Sequence, residues 1–363
     1  MWLLMIGCQF ISDSPLGSAE AVESYPPLVA LITVDTWRLD HFTKEHTPNI
    51  WALAEQGERF SRAYSPMGLT TPAHATMLTG EPPWVHGMEA NNHHGYQLRE
   101  DLPVLPEMFE GWSSAAFVSA YPAGPEGGMR RGWDVFDGPE SGERPGSIAI
   151  ERALNWLPVD KPALLWVHVY EPHGPYEGEG STESIRYAEE VLRIDKALGP
   201  LLDTLQQRKA TIVVTSDHGE VLDEERCSYQ HERSISDHVL RVPLVRWSPS
   251  STSGVLDGWV GLSDVPTLLK GQMPDTRPYW IAQSGMCESD CAPGCSPSGI
   301  AGRDTVATDP GGRWINRPGK GQFAQGSPRG DLKEQIARVP SVRPRVDETT
   351  EAARSLGYIT PIE

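Results

Sequence analysis

"PLVALITVD", residues 27–35, is the stretch from which the fold can be read. A continuous apolar run rich in β-branched residues has no polar face. It therefore predicts a strand covered on both sides, as in a parallel sheet packed between helices. "PALLWVHVY" (162–170) and "ATIVVTSD" (210–217) are runs of the same kind, and "SSAAFVSA" (113–120) and "RVPLVRW" (241–247) predict further strands. Helical patterns fall between them. "TPNIWALAEQG" (47–57) has a threonine cap, proline at the first helical position and a glycine stop. "SIAIERALNWL" (147–157) is amphipathic, and 181–208 places apolar residues at three- and four-residue steps. "PVLPEMFEGW" (103–112) reads as helix and "SDVPTLL" (263–269) as a capped helical turn, and the chain has no internal repeat. Strand–helix alternation predicts an α/β fold, a mostly parallel central sheet flanked by helices, over residues 27–275. Beyond that the pattern dissolves into Gly, Pro, Cys and Arg, so 276–363 is expected to be a small loop-rich C-terminal part.

The 363 residues are 39% hydrophobic with 12 Trp, enough for a sizeable core. The net charge of −18 offers no basic stripe for nucleic acid and no polybasic face for an anionic membrane. "MWLLMIGC" (1–8) is too short to span a bilayer and lacks the basic start of a signal peptide. It resembles the end of a bacterial lipoprotein signal, with Cys8 lipidated. Residues 1–26 are thus expected to be signal remnant and linker, on an exported chain in the periplasm or anchored to the outer membrane. Contact with a membrane is expected only through Cys8. Cys227, Cys287, Cys291 and Cys295 are an even set, suited in an exported chain to two disulfides with three pairings open. A metal clip in "CESDCAPGC" (287–295) is the weaker reading, because zinc ligand pairs usually sit closer together.

Polar residues interrupt the strand pattern at C-terminal strand ends, where open α/β sheets hold ligands. Asp35 ends the first strand and Asp217-His218 end "IVVTSD", while His168 lies inside a strand and His173 follows it. Asp35, Asp217 and His218 are ligand types that hold one divalent cation. In "GLTTPAHATMLTG" (68–80) two hydroxyls precede Pro72 at what reads as a helix start. They are either caps, or one is a nucleophile at the positive end of a helix dipole beside that metal.

"LITVDTWRLDHF", "TTPAHATMLTGEPPWVHGM", "WVHVYEPHGPY", "VVTSDHGE" and "HERSISDHVLRVPLV" occur in that order over roughly residues 27–270, with a terminal "RSLGYI". Together they resemble the sulfatase-like branch of the alkaline phosphatase superfamily. The resemblance implies the fold above and hydrolysis or transfer of sulfate, phosphate or phosphonate groups through a metal-bound nucleophile. Residue by residue, it implies Asp35, Thr70, Asp217 and His218 around one divalent ion (Ca, Mn, Zn or Mg), with Thr70 as nucleophile and Thr71 as the neighbouring cap. His173 matches a histidine that binds oxygens of the transferring group, and His231 a group that stabilises nucleophile or leaving group. His74 stands where sulfatases proper have Arg, and His86 and Asn91 match recurring positions. His168 reads equally well as an interior histidine.

Three departures narrow the resemblance. Thr70-Thr71-Pro72-Ala73-His74 lacks the Cys or Ser that sulfatases convert to formylglycine. Thr36 replaces the second acid of the usual Asp-Asp pair, and no Lys-x-His sulfate clamp is evident in 117–136. What remains looks like the single-metal site of phosphoglycerol and phosphoethanolamine transferases. The expectation is a metal-dependent hydrolase of small-molecule or glycan sulfate, phosphate or phosphonate esters. The alternatives are an envelope phosphotransferase and a non-catalytic binding lipoprotein.

Overall fold

The computed structural model describes residues 27–91, 96–222, 231–285 and 303–340. All five cysteines, residues 1–26 and "RSLGYI" lie outside the described residues, and so do the lipid and disulfide expectations. The main sheet is built from β1 (Leu28–Val34), β2 (Glu58–Tyr64), β3 (Ser113–Val118), β4 (Val135–Asp137), β5 (Ala163–Val169), β6 (Thr211–Ser216), β7 (Leu244–Trp247) and β8 (Gly254–Gly261). Its order is β4-β3-β5-β1-β6-β7-β2-β8. β1 lies parallel to both β5 and β6, β5 to β3, β3 to β4, and β2 to β8. β7 runs antiparallel to β6 and β2, the one reversal in a mostly parallel α/β sheet.

Because side chains alternate across a strand, β1 feeds two cores. Val29 and Leu31 join Ala73, Met77, Trp166 and Leu268 on one face. Leu28, Ala30, Ile32 and Val34 join Leu53, Ile150, Leu198 and Leu202 on the other. Burial of β1 on both faces is what its unbroken apolar run implied. The helices Gly146–Trp156 and Glu183–Gln207 supply the second face. The latter buries Tyr187, Val191, Ile194, Leu198, Leu201 and Leu205, a stripe at the helical period.

Strands β2 and β8 have no counterpart in the sequence expectation. Only Phe60, Ala63 and Tyr64 of "ERFSRAY" are buried apolar residues, and the first half of β8 is exposed, so neither segment shows a long apolar run. The expected loop-rich C-terminal part contains a regular antiparallel sheet: β9 (Trp280–Gln283), β10 (Thr305–Asp309), β11 (Gly312–Arg317) and β12 (Gly321–Gly326), in the order β12-β11-β10-β9. Its strands are short and turn-rich, which hides them from a pattern search. Val306 and Ile315 pack with Trp280, Trp259 and Tyr64 and fasten this sheet to the main one.

The helix α1 (Pro48–Gln56) is capped differently from the expectation. The Thr47 hydroxyl makes no cap bond and donates to Thr43 O at 3.0 Å. Buried Asp195, from the long helix, takes over: its carboxylate accepts from Asn49 N, Asn49 Nδ2 and Ile50 N, each at 2.9 Å. A carboxylate at a helix N-terminus satisfies orphan N–H groups and meets the positive dipole end. Asp195→Ala should therefore lower unfolding free energy in urea by about 2 kcal/mol, whereas Thr47→Ala should cost less.

Candidate active site

The register of β1 brings the site together. Val34 is level with Val169 of β5 and Ser216 of β6, so Asp35, Tyr170 and Asp217 leave three adjacent strands side by side. The turn after Asp35 is held from both sides. Thr36 N donates to Asp217 Oδ1 at 3.2 Å and Trp37 N to Ser216 Oγ at 2.9 Å. Tyr187 donates its hydroxyl to Thr36 O at 2.7 Å and accepts from Arg38 N at 2.8 Å. Thr36 has φ 51°, the left-handed region, which costs a non-glycine residue about 1–2 kcal/mol.

Asp35, Asp217 and His218 are completely buried, and one ligand atom from each lies within 4.8 Å of the others. Asp35 Oδ1, Asp217 Oδ2 and His218 Nε2 make no hydrogen bond with the protein. Buried polar atoms are rarely left so. Two carboxylate oxygens and an imidazole nitrogen, converging and unbonded, fit a divalent cation. The remaining atoms of the three are bound as oriented ligands should be. His218 Nδ1 faces Gly219 O at 3.0 Å, and since a carbonyl only accepts, the proton sits on Nδ1 and Nε2 is bare. His168 Nε2 lies 3.2 Å from Asp35 Oδ2 and turns Oδ1 inward. Burial, then the charges of Asp217 and Glu220, hold the Asp35 carboxyl well above the usual carboxylate range, and burial also raises Asp217. Burial pushes His218 down to about 3, so this ligand is neutral.

The helix α2 (Thr70–Thr79) is buried over its whole length. Its interior hydroxyls are satisfied within the helix, Thr76 on Pro72 O and Thr79 on Ala75 O, and Gly80 ends it at φ 78°. Leu69 is the cap residue and its side chain makes no cap bond, so neither threonine is a cap as the sequence suggested. Thr70 is the first helical residue, and its side chain lies near enough to the Asp35 carboxylate to lower that group's pKa against the effect of burial. The Thr71 hydroxyl donates to Pro122 O at 2.6 Å, while Asn91 Oδ1 accepts from Thr71 N at 3.2 Å and closes the helix start.

His74 is buried with both nitrogens engaged, Nδ1 on Thr70 O at 2.8 Å and Nε2 on Thr33 Oγ1 at 3.0 Å. It braces the first turn of α2 from beneath, with Nδ1 3.7 Å from Asp217 Oδ2. His86 lies behind α2, with Nε2 on Thr76 Oγ1 at 3.0 Å and Nδ1 accepting from Met88 N at 3.1 Å. His173 and His231 lie beside the ligand cluster, and the His231 ring stacks on His218 with centroids 4.2 Å apart. His231 Nδ1 donates to Gly68 O at 2.9 Å and His173 Nδ1 to Gly174 O at 2.7 Å. Their bare Nε2 atoms face each other at 3.2 Å.

Parts of the chain are similar to known hydrolase families. The family described as "Sulfatase" matches residues 132–270, and "Type I phosphodiesterase / nucleotide pyrophosphatase" matches residues 29–105. Phosphonate monoester hydrolase from Silicibacter pomeroyi superposes with a TM-score of 0.65 at 17% identity, over 92% of this chain and 96% of that one. The chain is thus similar to sulfatases over residues 132–270 and shares the fold of that hydrolase. An ulvan-active sulfatase of Formosa agariphila is 25% identical over 323 residues, 67% of this chain and 63% of that protein. Ectonucleotide pyrophosphatase/phosphodiesterase family member 3 of Mus musculus is 26% identical over 229 residues, 55% of this chain. The aligned part spans 25% of the mouse protein's length.

Asp35, Thr70, Asp217, His218, His173 and His231 thus come together in this sulfatase-like chain, and His74, His168, His86 and Asn91 support them. Sequence reasoning missed Glu220, Tyr170 and Tyr187. Burial pushes the Glu220 carboxyl up to about 8, so it carries a proton at neutral pH, and Val221 N donates to its Oε1 at 3.0 Å. Glu220 and Tyr170 stand inside the quoted motifs, but Tyr187 sits in a helical stripe where an aromatic reads as core.

The raised carboxyl pKa values set a pH dependence. A proton on Asp35 or Asp217 occupies the oxygen a cation needs, whereas His218 is already neutral. Affinity for Mn2+ or Zn2+ should therefore fall as pH is lowered from 7.5 to 5, approaching about tenfold per pH unit for each proton displaced. Competition with a chelating dye would measure it, and a flat profile would contradict the assigned ligands.

Proposed function

We propose that the chain is a metal-dependent hydrolase of sulfate, phosphate or phosphonate esters with Thr70 as its nucleophile. The observation that carries this is the placement of the two hydroxyls. Thr71 donates a hydrogen bond to Pro122 O at 2.6 Å, while the Thr70 side chain lies near the Asp35 carboxylate, whose pKa it lowers, beside the unbonded ligand atoms. Asp35, Asp217 and His218 would hold the cation, with Thr70 completing the set. The bound cation would supply positive charge to stabilise the ionised hydroxyl and the oxygens of the transferring group. Thr70 Oγ1, its proton released to water on ionisation, forms a bond to sulfur or phosphorus as the bond to the leaving oxygen breaks, and water later cleaves the threonine ester and returns a proton to Oγ1. The N-terminus of α2 favours the negative charge that builds there.

His173 and His231 provide the proton. Each has Nδ1 tied to a carbonyl, so a proton can reside only at the facing Nε2 atoms. Burial holds both imidazoles below their ordinary pKa, and an arriving anion offsets that tendency. The pair then donates to the leaving oxygen. The same threonine ester would serve transfer to an alcohol, and product analysis with and without an acceptor separates transfer from hydrolysis.

Aryl sulfate, phosphodiester and phosphonate monoester substrates provide the assay for variants. Thr70→Ala should lower kcat by at least about a thousandfold while the melting temperature stays near that of the unmodified chain. Thr70→Ser should retain part of the activity, and Thr71→Ala should reduce it mildly. Full activity in Thr70→Ala would exclude the proposed nucleophile.

A further inference from the structure

The strained turn after Asp35 is fixed by a residue with no place in the reaction. The φ of Thr36 sets the angle between two peptide units. The Asp35–Thr36 unit carries the N–H that holds Asp217 Oδ1 at 3.2 Å. The Thr36–Trp37 unit carries the carbonyl to which Tyr187 donates at 2.7 Å, and Tyr187 also accepts from Arg38 N at 2.8 Å. A β-branched residue left to itself leaves the left-handed region, so Thr36 stays at φ 51° only while both units are held. Without Tyr187 the second unit keeps only the bond from Trp37 N to Ser216 Oγ at 2.9 Å, which leaves its carbonyl free to swing, so φ relaxes and the N–H turns away from Asp217. Asp217 Oδ1 also accepts from its own neighbour His218 N at 2.8 Å, a local bond that does not tie the carboxylate to the Asp35 turn.

We propose that Tyr187 is a positioning residue for the cation site: its hydroxyl locks the left-handed Thr36 turn and thereby keeps Asp35 and Asp217 in ligating register. Tyr187 is anchored for this task. It is fully buried in the helix Glu183–Gln207, with its ring edge-on to Tyr176 at 5.5 Å and to His41 at 4.8 Å. The lock couples the apolar stripe of that helix to the polar end of β1. The inference rests on the metal reading of Asp35, Asp217 and His218 given above.

The test is titration of the whole chain with Zn2+ and with Mn2+ by calorimetry, for the unmodified protein, Tyr187→Phe, Thr36→Gly and the double variant. Melting of each metal-free form checks folding. Tyr187→Phe keeps the packed ring and should weaken cation binding roughly 10- to 100-fold, the range seen when outer-shell partners are removed. Thr36→Gly should bind close to the unmodified chain, because glycine takes positive φ without strain. The double variant should recover most of the loss. That recovery separates a lock on the turn from general loosening, because the bonds of the Tyr187 hydroxyl among the described residues are to main-chain atoms of this turn, Thr36 O and Arg38 N. Unchanged binding in Tyr187→Phe overturns the proposal and leaves the metal reading intact. Weak binding in Tyr187→Phe without recovery in the double variant also overturns it. Absence of binding by the unmodified chain removes the metal reading itself, before any substitution is considered.

Discussion

Two fully buried carboxylates held within 4.8 Å of each other are the constraint on which the rest of the structure depends. Both ionised, they would repel by on the order of 3 kcal/mol at an effective dielectric of about 20, before any cost of burial is added. The metal-free protein limits that penalty by raising both carboxyl pKa values. A divalent cation between them would remove it. The pairing of β1 with β5 and β6 fixes the separation, because parallel strands in register end at the same level. Slipping either pairing by one residue would send its strand-end residue to the opposite face of the sheet.

Around this pair, polar groups are divided between support and chemistry by whether their hydrogen bonds are already made. Thr71, Thr76 and Thr79 donate to carbonyls, and His74 and His86 have both nitrogens occupied. Asp35 Oδ1, Asp217 Oδ2 and His218 Nε2 are left without such partners. The facing Nε2 atoms of His173 and His231 form a second unsatisfied point beside them. A buried helix filled with hydroxyls would be costly if those hydroxyls were unsatisfied. In α2 the interior ones are returned to the helix backbone, so the helix can lie at the centre of the molecule and aim its N-terminus at the site.

Much of this was legible in the sequence, for identifiable reasons. The largely apolar runs at 28–34, 163–169 and 211–216 are buried almost throughout, and the acids that follow two of them mark the ligand end of the sheet. Strands β2 and β8 were not legible, because a partly exposed strand loses its apolar signature. The same holds for the C-terminal sheet, whose short strands bury few apolar side chains. The roles of the two threonines were not legible either. Choosing between cap and nucleophile required knowing that Pro122 O lies within reach of Thr71 and Asp35 within reach of Thr70. Pattern also could not supply the Asp195 cap on α1, because the donors and the acceptor are about 146 residues apart.

The replacement of an acid by Thr36 fits the charge balance of the site. Ionised, Asp35 and Asp217 would carry two negative charges, which one divalent cation would offset. His218 is held neutral at this site and Glu220 keeps its proton, pushed up to about 8. A carboxylate at position 36 would add a third negative charge in the same buried volume and repel an anionic ester before it reached Thr70. With threonine there, the main-chain N–H holds Asp217, and the backbone strain at φ 51° is the cost of presenting it. The strain, about 1–2 kcal/mol, is opposed by the bonds on either side of the turn, Thr36 N to Asp217 Oδ1 and Tyr187 to Thr36 O.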